Sequence, residues 1–127
     1  MRAMFNTLLV MLGGAIGAAM RYHVSRQAAG WFAAGWPGGT LLVNVAGGLA
    51  MGLLAGWLHR QGQSEPWRLL LGVGVLGGFT TFSAFSLESY NMILRGELLF
   101  AAAYAVSSVA GSILMLYCGV MLTRIFG

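Results

Sequence analysis

Four long stretches of the chain carry apolar side chains almost without interruption, and short polar segments separate them. They run from about Met4 to Ser25, Gly38 to Trp57, Trp67 to Leu94 and Leu98 to Arg124. A hydrocarbon layer of roughly 30 Å takes about 20 mostly apolar residues to cross as a helix, so each stretch is long enough to span it. The runs are continuous rather than alternating, which argues against membrane strands, and four strands would leave edge backbone groups unpaired in lipid. The pattern predicts an all-α membrane protein with four transmembrane helices, a single four-helix domain over residues 1–127 embedded in a lipid bilayer. Arg2 before an apolar run could mimic a secretory signal, but the run continues past signal length, and its removal would leave three spans.

Composition agrees with that pattern. Of 127 residues, 58% are hydrophobic and 8% charged, so a water-soluble core-and-surface protein is excluded, as is a nucleic-acid partner. Cys118 is the single cysteine and has no Cys or His beside it for a disulfide or a metal. His23 and His59 fall at span ends, where interfacial His is usual.

The third stretch breaks its own pattern. Residues 74–85 read Gly-Val-Leu-Gly-Gly-Phe-Thr-Thr-Phe-Ser-Ala-Phe, with Gly77-Gly78 followed by Thr80-Thr81, a run of low helix propensity and competing hydroxyls. The helix is expected to break there. Backbone released at membrane depth must be buried in protein or face water, because each unpaired group costs several kcal/mol in lipid. Two half-helices would present carbonyls at the end of the first and N–H groups at the start of the second, the former suited to a cation and the latter to an anion.

Polar side chains recur at helical spacing around this segment. Thr40 and Asn44 lie four residues apart on the second span, and Tyr104, Ser108 and Ser112 form a row with the same spacing on the fourth. Phe82 and Phe85 share one face beyond the break, with Phe79 a further turn back; a phenyl ring turned edge-on offers its positive rim to an anion. Glu88 is the one carboxylate placed inside a span, near enough to Phe85 to share the pathway and free to line it, to bond Tyr104 or to face interface water, whereas Glu65 and Glu97 fall in loops. Arg21 stands near a span end. A path of hydroxyls, an amide and aromatic edges suits a small anion better than a cation.

Charge outside the membrane is nearly balanced. Arg2, Arg60, Arg68 and Arg124 fall on one side and Arg21, Arg26 and Arg95 on the other, with no Lys, so the bias that orients a membrane protein is weak. A chain that inserts both ways can form an antiparallel dimer, and four helices alone leave little room for a lined pathway. Gly13 and Gly17, one turn apart before Arg21, and Gly48, Gly52 and Gly56 provide small-residue faces that fit a larger assembly or ordinary packing within the chain.

Three motifs carry a family resemblance: Gly13-Gly14-Ala15-Ile16-Gly17-Ala18 leading to Arg21-Tyr22, Gly39-Thr40-Leu41-Leu42-Val43-Asn44 with Gly47-Gly48, and Gly77-Gly78-Phe79-Thr80-Thr81-Phe82-Ser83-Ala84-Phe85. In order and spacing the chain resembles the small bacterial fluoride channels of the Fluc or CrcB family. The resemblance implies an antiparallel, dual-topology homodimer in the bacterial inner membrane with two fluoride pathways. It also implies a structural sodium ion at the two-fold axis, held by backbone carbonyls that map to Gly77 and Thr80. It maps the phenyl pair to Phe82 and Phe85, the amide donor to Asn44 and the polar row to Tyr104, Ser108 and Ser112, with Thr81 and Ser83 close to the path. Ala84 departs from the family, where Thr is frequent. Passive fluoride export that confers resistance is the expected function, without enzymatic chemistry. The alternatives are a small multidrug exporter of dual topology, which resembles this chain in length but carries a Glu in its first helix that is missing here, and a non-transporting scaffold.

Overall fold

The computed structural model describes residues 1–33 and 35–127. It is all-helical, with four helices long and apolar enough to cross a membrane: α1 (Arg2–Ala28), α2 (Gly38–Arg60), α3 (Glu65–Leu94) and α4 (Leu98–Phe126). Each extends a few residues past the apolar run that predicts it, because Arg, His and Glu at span ends continue the helix into the polar interface. Gly62 and Gly96, both at φ +78°, form the tight turns before α3 and α4 that a side chain would strain. Trp57 and Trp67 pack edge to face at one end, and exposed Trp31 and Trp36 ring the other, as at membrane interfaces.

Glycine decides which helices touch. On α1, buried Gly13 and Gly17 admit the first part of α3, where a Cβ on Gly74 would come within 2.8 Å of the Gly13 Cα. Likewise, a Cβ on Gly119 of α4 would stand 2.7 Å from the Leu53 amide of α2. The backbones approach this closely only because side chains are missing from both faces. Both glycine stripes, including Gly48, Gly52 and Gly56, are therefore used for packing within one chain. Of the two uses that the sequence leaves open for these faces, packing within the chain is the one these contacts display.

The third span is irregular along its length. Residues 68–76 form a π-helix, with Gly72 and Gly74 turned inward; hydrogen bonds there run to the fifth residue back, as from the Gly77 amide to the Gly72 carbonyl. One α-turn follows at Gly77–Phe79, Thr80 and Thr81 are extended (φ −82°, ψ 157° and φ −149°, ψ 125°), and helix resumes over Phe82–Leu94. Neither Gly pair nor hydroxyls announce the π-helix in the sequence; it depends on how the coil fits against α1.

Candidate functional site

The extended Thr80–Thr81 segment lies against the middle of α2, where Asn44 clasps it with both ends of its amide. Asn44 Nδ2 donates to the Thr81 carbonyl at 2.9 Å, and the Thr81 amide donates to Asn44 Oδ1 at 2.8 Å. In a continuing α-helix that Thr81 N–H would go to the Gly77 carbonyl four residues back. The next substitution of partners is similar: the Ala84 N–H, which would serve the Thr80 carbonyl, goes to Thr81 Oγ1 at 3.2 Å and caps the second helical segment. Two side-chain contacts thus take the donors that regular helix would supply to the Gly77 and Thr80 carbonyls.

Gly47 allows this arrangement by leaving room for the Thr80 methyl, which a Cβ there would displace. Arg21 reaches from α1 and donates through Nε to the Gly78 carbonyl at 3.1 Å. It is part-buried and bound beside the extended segment rather than free at a mouth, as its place near a span end suggests. Thr80 Oγ1 donates back to the Leu76 carbonyl at 2.9 Å.

A cavity of about 410 Å³ opens beside the segment, between α2, α3 and α4. Asn44, Thr81, Phe82, Phe85, Ser108 and Ser112 line it, with Val109 and Ile113 at its apolar rim. Phe82 and Phe85 stand 5.5 Å apart, centroid to centroid, tilted by 39°. Phe82 is 77% exposed, far above what a core phenyl shows. Ser108 is buried, and its hydroxyl has no hydrogen-bond partner among the described residues. Ser83 is exposed at the edge of this region, 3.3 Å from Thr81 Oγ1.

The polar row on α4 is split by its neighbours. Ser108 and Ser112 face the first cavity, whereas Tyr104 lines a second one of about 740 Å³ with Trp36, Arg95, Glu97 and Ser107. The two cavities follow each other along α4 and meet at Phe85 and Tyr104, whose ring centroids are 5.1 Å apart. Tyr104 is held there by Glu88: its hydroxyl donates to Oε2 at 2.8 Å, while the Thr40 hydroxyl donates to Oε1 at 2.8 Å. Both protons point at the carboxylate. Thr40 and Tyr104, two of the side chains expected to offer donors to an anion, direct theirs to Glu88 instead. Of the roles the sequence leaves open for Glu88, the bond to Tyr104 is the one observed, whereas the Thr40 contact, from a third span, has no signal in the spacing. Arg95 pairs with Glu97 at 3.2 Å at the outer end of the second cavity, an ion pair that sequence reasoning did not single out.

Fold and site together define a multi-pass helical membrane protein with a largely apolar cavity, carrying a few hydroxyls and one amide, between its second, third and fourth spans. Residues 8–120 match the family described as CrcB-like protein, Camphor Resistance (CrcB), and the chain belongs to that family. A protein of Erythrobacter litoralis (strain HTCC2594) named "Fluoride-specific ion channel FluC" is 51% identical, covering 97% of this chain and 95% of its own length. Relatives of the same name from Phenylobacterium zucineum (strain HLK1) and Caulobacter sp. (strain K31) are 55% and 50% identical, covering 92% and 95% of this chain and 94% and 96% of their own. These relatives are named as ion channels, not as enzymes.

Proposed function

We propose that the protein is a passive fluoride channel of the bacterial inner membrane, acting as an antiparallel homodimer. The observation that carries this reading is the Ser108 hydroxyl, buried and without a partner, in a cavity rimmed by phenyl groups. An unpaired buried hydroxyl costs about 1–3 kcal/mol, and a small anion that accepts its proton removes that cost. Ser112 and the second Nδ2 hydrogen of Asn44 line the same cavity, and Phe82 and Phe85 can present their positive edges. Thr81 and Ser83 stand at its margin. Tyr104, Thr40 and Glu88 shape the passage to the second cavity, and Arg21 adds positive charge beside the extended segment.

The names of the relatives support fluoride as the ion. Fluoride would shed part of its water, pass between these donors and the phenyl edges, and move down its electrochemical gradient. Hydrogen fluoride enters cells as a neutral acid and dissociates inside; a negative-inside potential then drives the anion out and gives resistance without coupled energy. Chloride would be rejected by a narrow bore and by donors spaced for a smaller ion.

A second copy is the natural cover for the open side of the cavity. Phe82, Val109 and Ile113 are 77%, 56% and 63% exposed there, and an anion path cannot face hydrocarbon. The weak charge bias between the two sides suits insertion in both orientations.

The Gly77 and Thr80 carbonyls fit a sodium site, since the N–H groups that α-helix would assign to them bind Asn44 and Thr81 instead. Hard oxygen donors of this kind suit an alkali cation, and among the described residues no cluster of three or more His, Cys, Asp or Glu offers another metal site. Sodium would supply fixed positive charge that joins the two extended segments, a structural role.

Liposomes loaded separately with fluoride and chloride, with a potassium ionophore to balance charge, test the function through ion-selective electrodes. Rapid loss of fluoride with retention of chloride is expected; retention of both ions would refute the channel. Phe82→Ile or Phe85→Ile should reduce fluoride flux while leaving the dimer intact, and unchanged flux in both would refute the role of the phenyl edges.

A further inference from the structure

A third cavity lies far from the proposed ion path, where α2 and α4 end together. It encloses about 170 Å³, and Gly56, His59, Arg60, Thr123 and Arg124 line most of it. Gly56 lets the Thr123 side chain pack directly on α2, which brings the two helix ends side by side. Two adjacent helix C-termini would ordinarily repel an anion, because their last carbonyls lack partners and carry partial negative charge. Arg60 reverses that. Its guanidinium bridges to α4, donating through Nη1 to the Thr123 carbonyl at 3.1 Å and through Nη2 to the Gly127 carbonyl at 2.7 Å. The Thr123 hydroxyl donates to the Val120 carbonyl at 2.7 Å. The Thr123 carbonyl is thereby covered by a guanidinium and the Val120 carbonyl by a hydroxyl.

The remaining charges point the same way. The chain has three acidic residues, and none lines this cavity. Glu65 pairs with Arg68 at 3.0 Å, Glu97 pairs with Arg95 at the opposite end of the bundle, and Glu88 accepts from Thr40 and Tyr104. Arg124 has no side-chain carboxylate partner among the described residues, in contrast to Arg68 and Arg95, and Arg60 is held by backbone oxygens of α4 and Gly127. Their guanidinium groups match the planar, two-pronged recognition that phosphate favours. The position at the ends of two spans is the depth of lipid headgroups, and the same two helices carry Leu53 and Leu122, each 39% exposed.

We infer that this cavity binds the phosphate of an anionic glycerophospholipid, held by Arg124 and His59, with Arg60 tying the two helix ends together. The inference does not depend on the fluoride reading, because the cavity shares no residue with the proposed path. The test uses the full chain in detergent, with retained phosphatidylglycerol or phosphatidylcholine counted by native mass spectrometry. Wild type should retain phosphatidylglycerol in preference to phosphatidylcholine. Arg124→Gln and His59→Gln should each weaken that retention about tenfold, the effect of one charge-assisted contact. Arg124→Lys should recover part of the loss, and Arg26→Gln, at the other end of the bundle, should change nothing. Arg124 and His59 are both exposed, so these exchanges leave the packed interface intact. Equal retention of the two lipids, or equal phosphatidylglycerol retention by wild type and both Gln variants, would overturn the site. Displacement of the lipid by millimolar inorganic phosphate would overturn the lipid assignment in favour of a free phosphate.

Discussion

Replacing Asn44 by Ala removes both hydrogen bonds that hold Thr81 in its extended conformation. The Thr81 N–H and carbonyl are part-buried, so each loses its partner in a place where water is scarce. At about 1–2 kcal/mol for each orphaned group the loss is about 2–4 kcal/mol, or a population shift of about thirtyfold to several hundredfold. The freed Thr81 N–H can then return to the Gly77 carbonyl, extending the preceding helical turn and closing one of the two proposed sodium ligands. Asn44→Ala should therefore lower the thermal stability of the purified protein and reduce fluoride flux from liposomes by at least about tenfold. Asn44→Asp separates the two bonds: its carboxylate still accepts from the Thr81 N–H but faces the Thr81 carbonyl without a donor. It should lose flux as well, with the thermal loss changed by adding sodium less than in wild type. Flux and stability of Asn44→Ala both within about twofold of wild type would refute the clasp, since a loss below about 0.5 kcal/mol is no more than a surface exchange produces.

Further outcomes follow from other contacts. Ser108→Ala should reduce fluoride flux without lowering the unfolding temperature, because the hydroxyl it removes has no partner among the described residues; a clear thermal loss with unchanged flux would assign Ser108 to structure instead. Glu88→Gln should lower stability by about 1–3 kcal/mol, since an amide offers one acceptor to two donating hydroxyls, while fluoride flux persists; abolished flux at wild-type stability would show that Glu88 acts in the path itself. Gly74→Ala should destabilise by about 1–3 kcal/mol or more, because the added Cβ would meet the Gly13 Cα at 2.8 Å, whereas Gly14→Ala, with nothing within 4 Å, should be neutral; unfolding temperatures of the two variants compare them directly.

Helical periodicity identified Asn44, Phe82, Phe85, Ser108 and Ser112, and all five line one cavity. Spacing is a sound guide here because residues three or four apart on a helix share a face whatever that face meets. It was a poorer guide to where a donor points. Tyr104 stands one turn from Ser108 on the same helix, yet its proton goes to Glu88, a partner from another span that competes with any ion. Arg21 was legible as a cation near a span end, but not as a donor to Gly78, which depends on the angle at which α1 crosses α3. The glycine stripes were legible as close-approach faces, while the choice between a neighbour in the same chain and one in another copy was not.

By itself the sequence determined the membrane class, the four spans and the segment around Thr80 and Thr81 where regular helix is weakest, because each follows from solvation and local backbone preference. Only the tertiary structure decided the π-helix at residues 68–76, the Asn44 clasp on Thr81 and the capture of two hydroxyl protons by Glu88. These depend on which donor reaches which acceptor first once the helices have packed. In a chain with so few charges and so many glycines, small differences in helix register settle that contest, and register is a property of neighbouring surfaces rather than of any one segment.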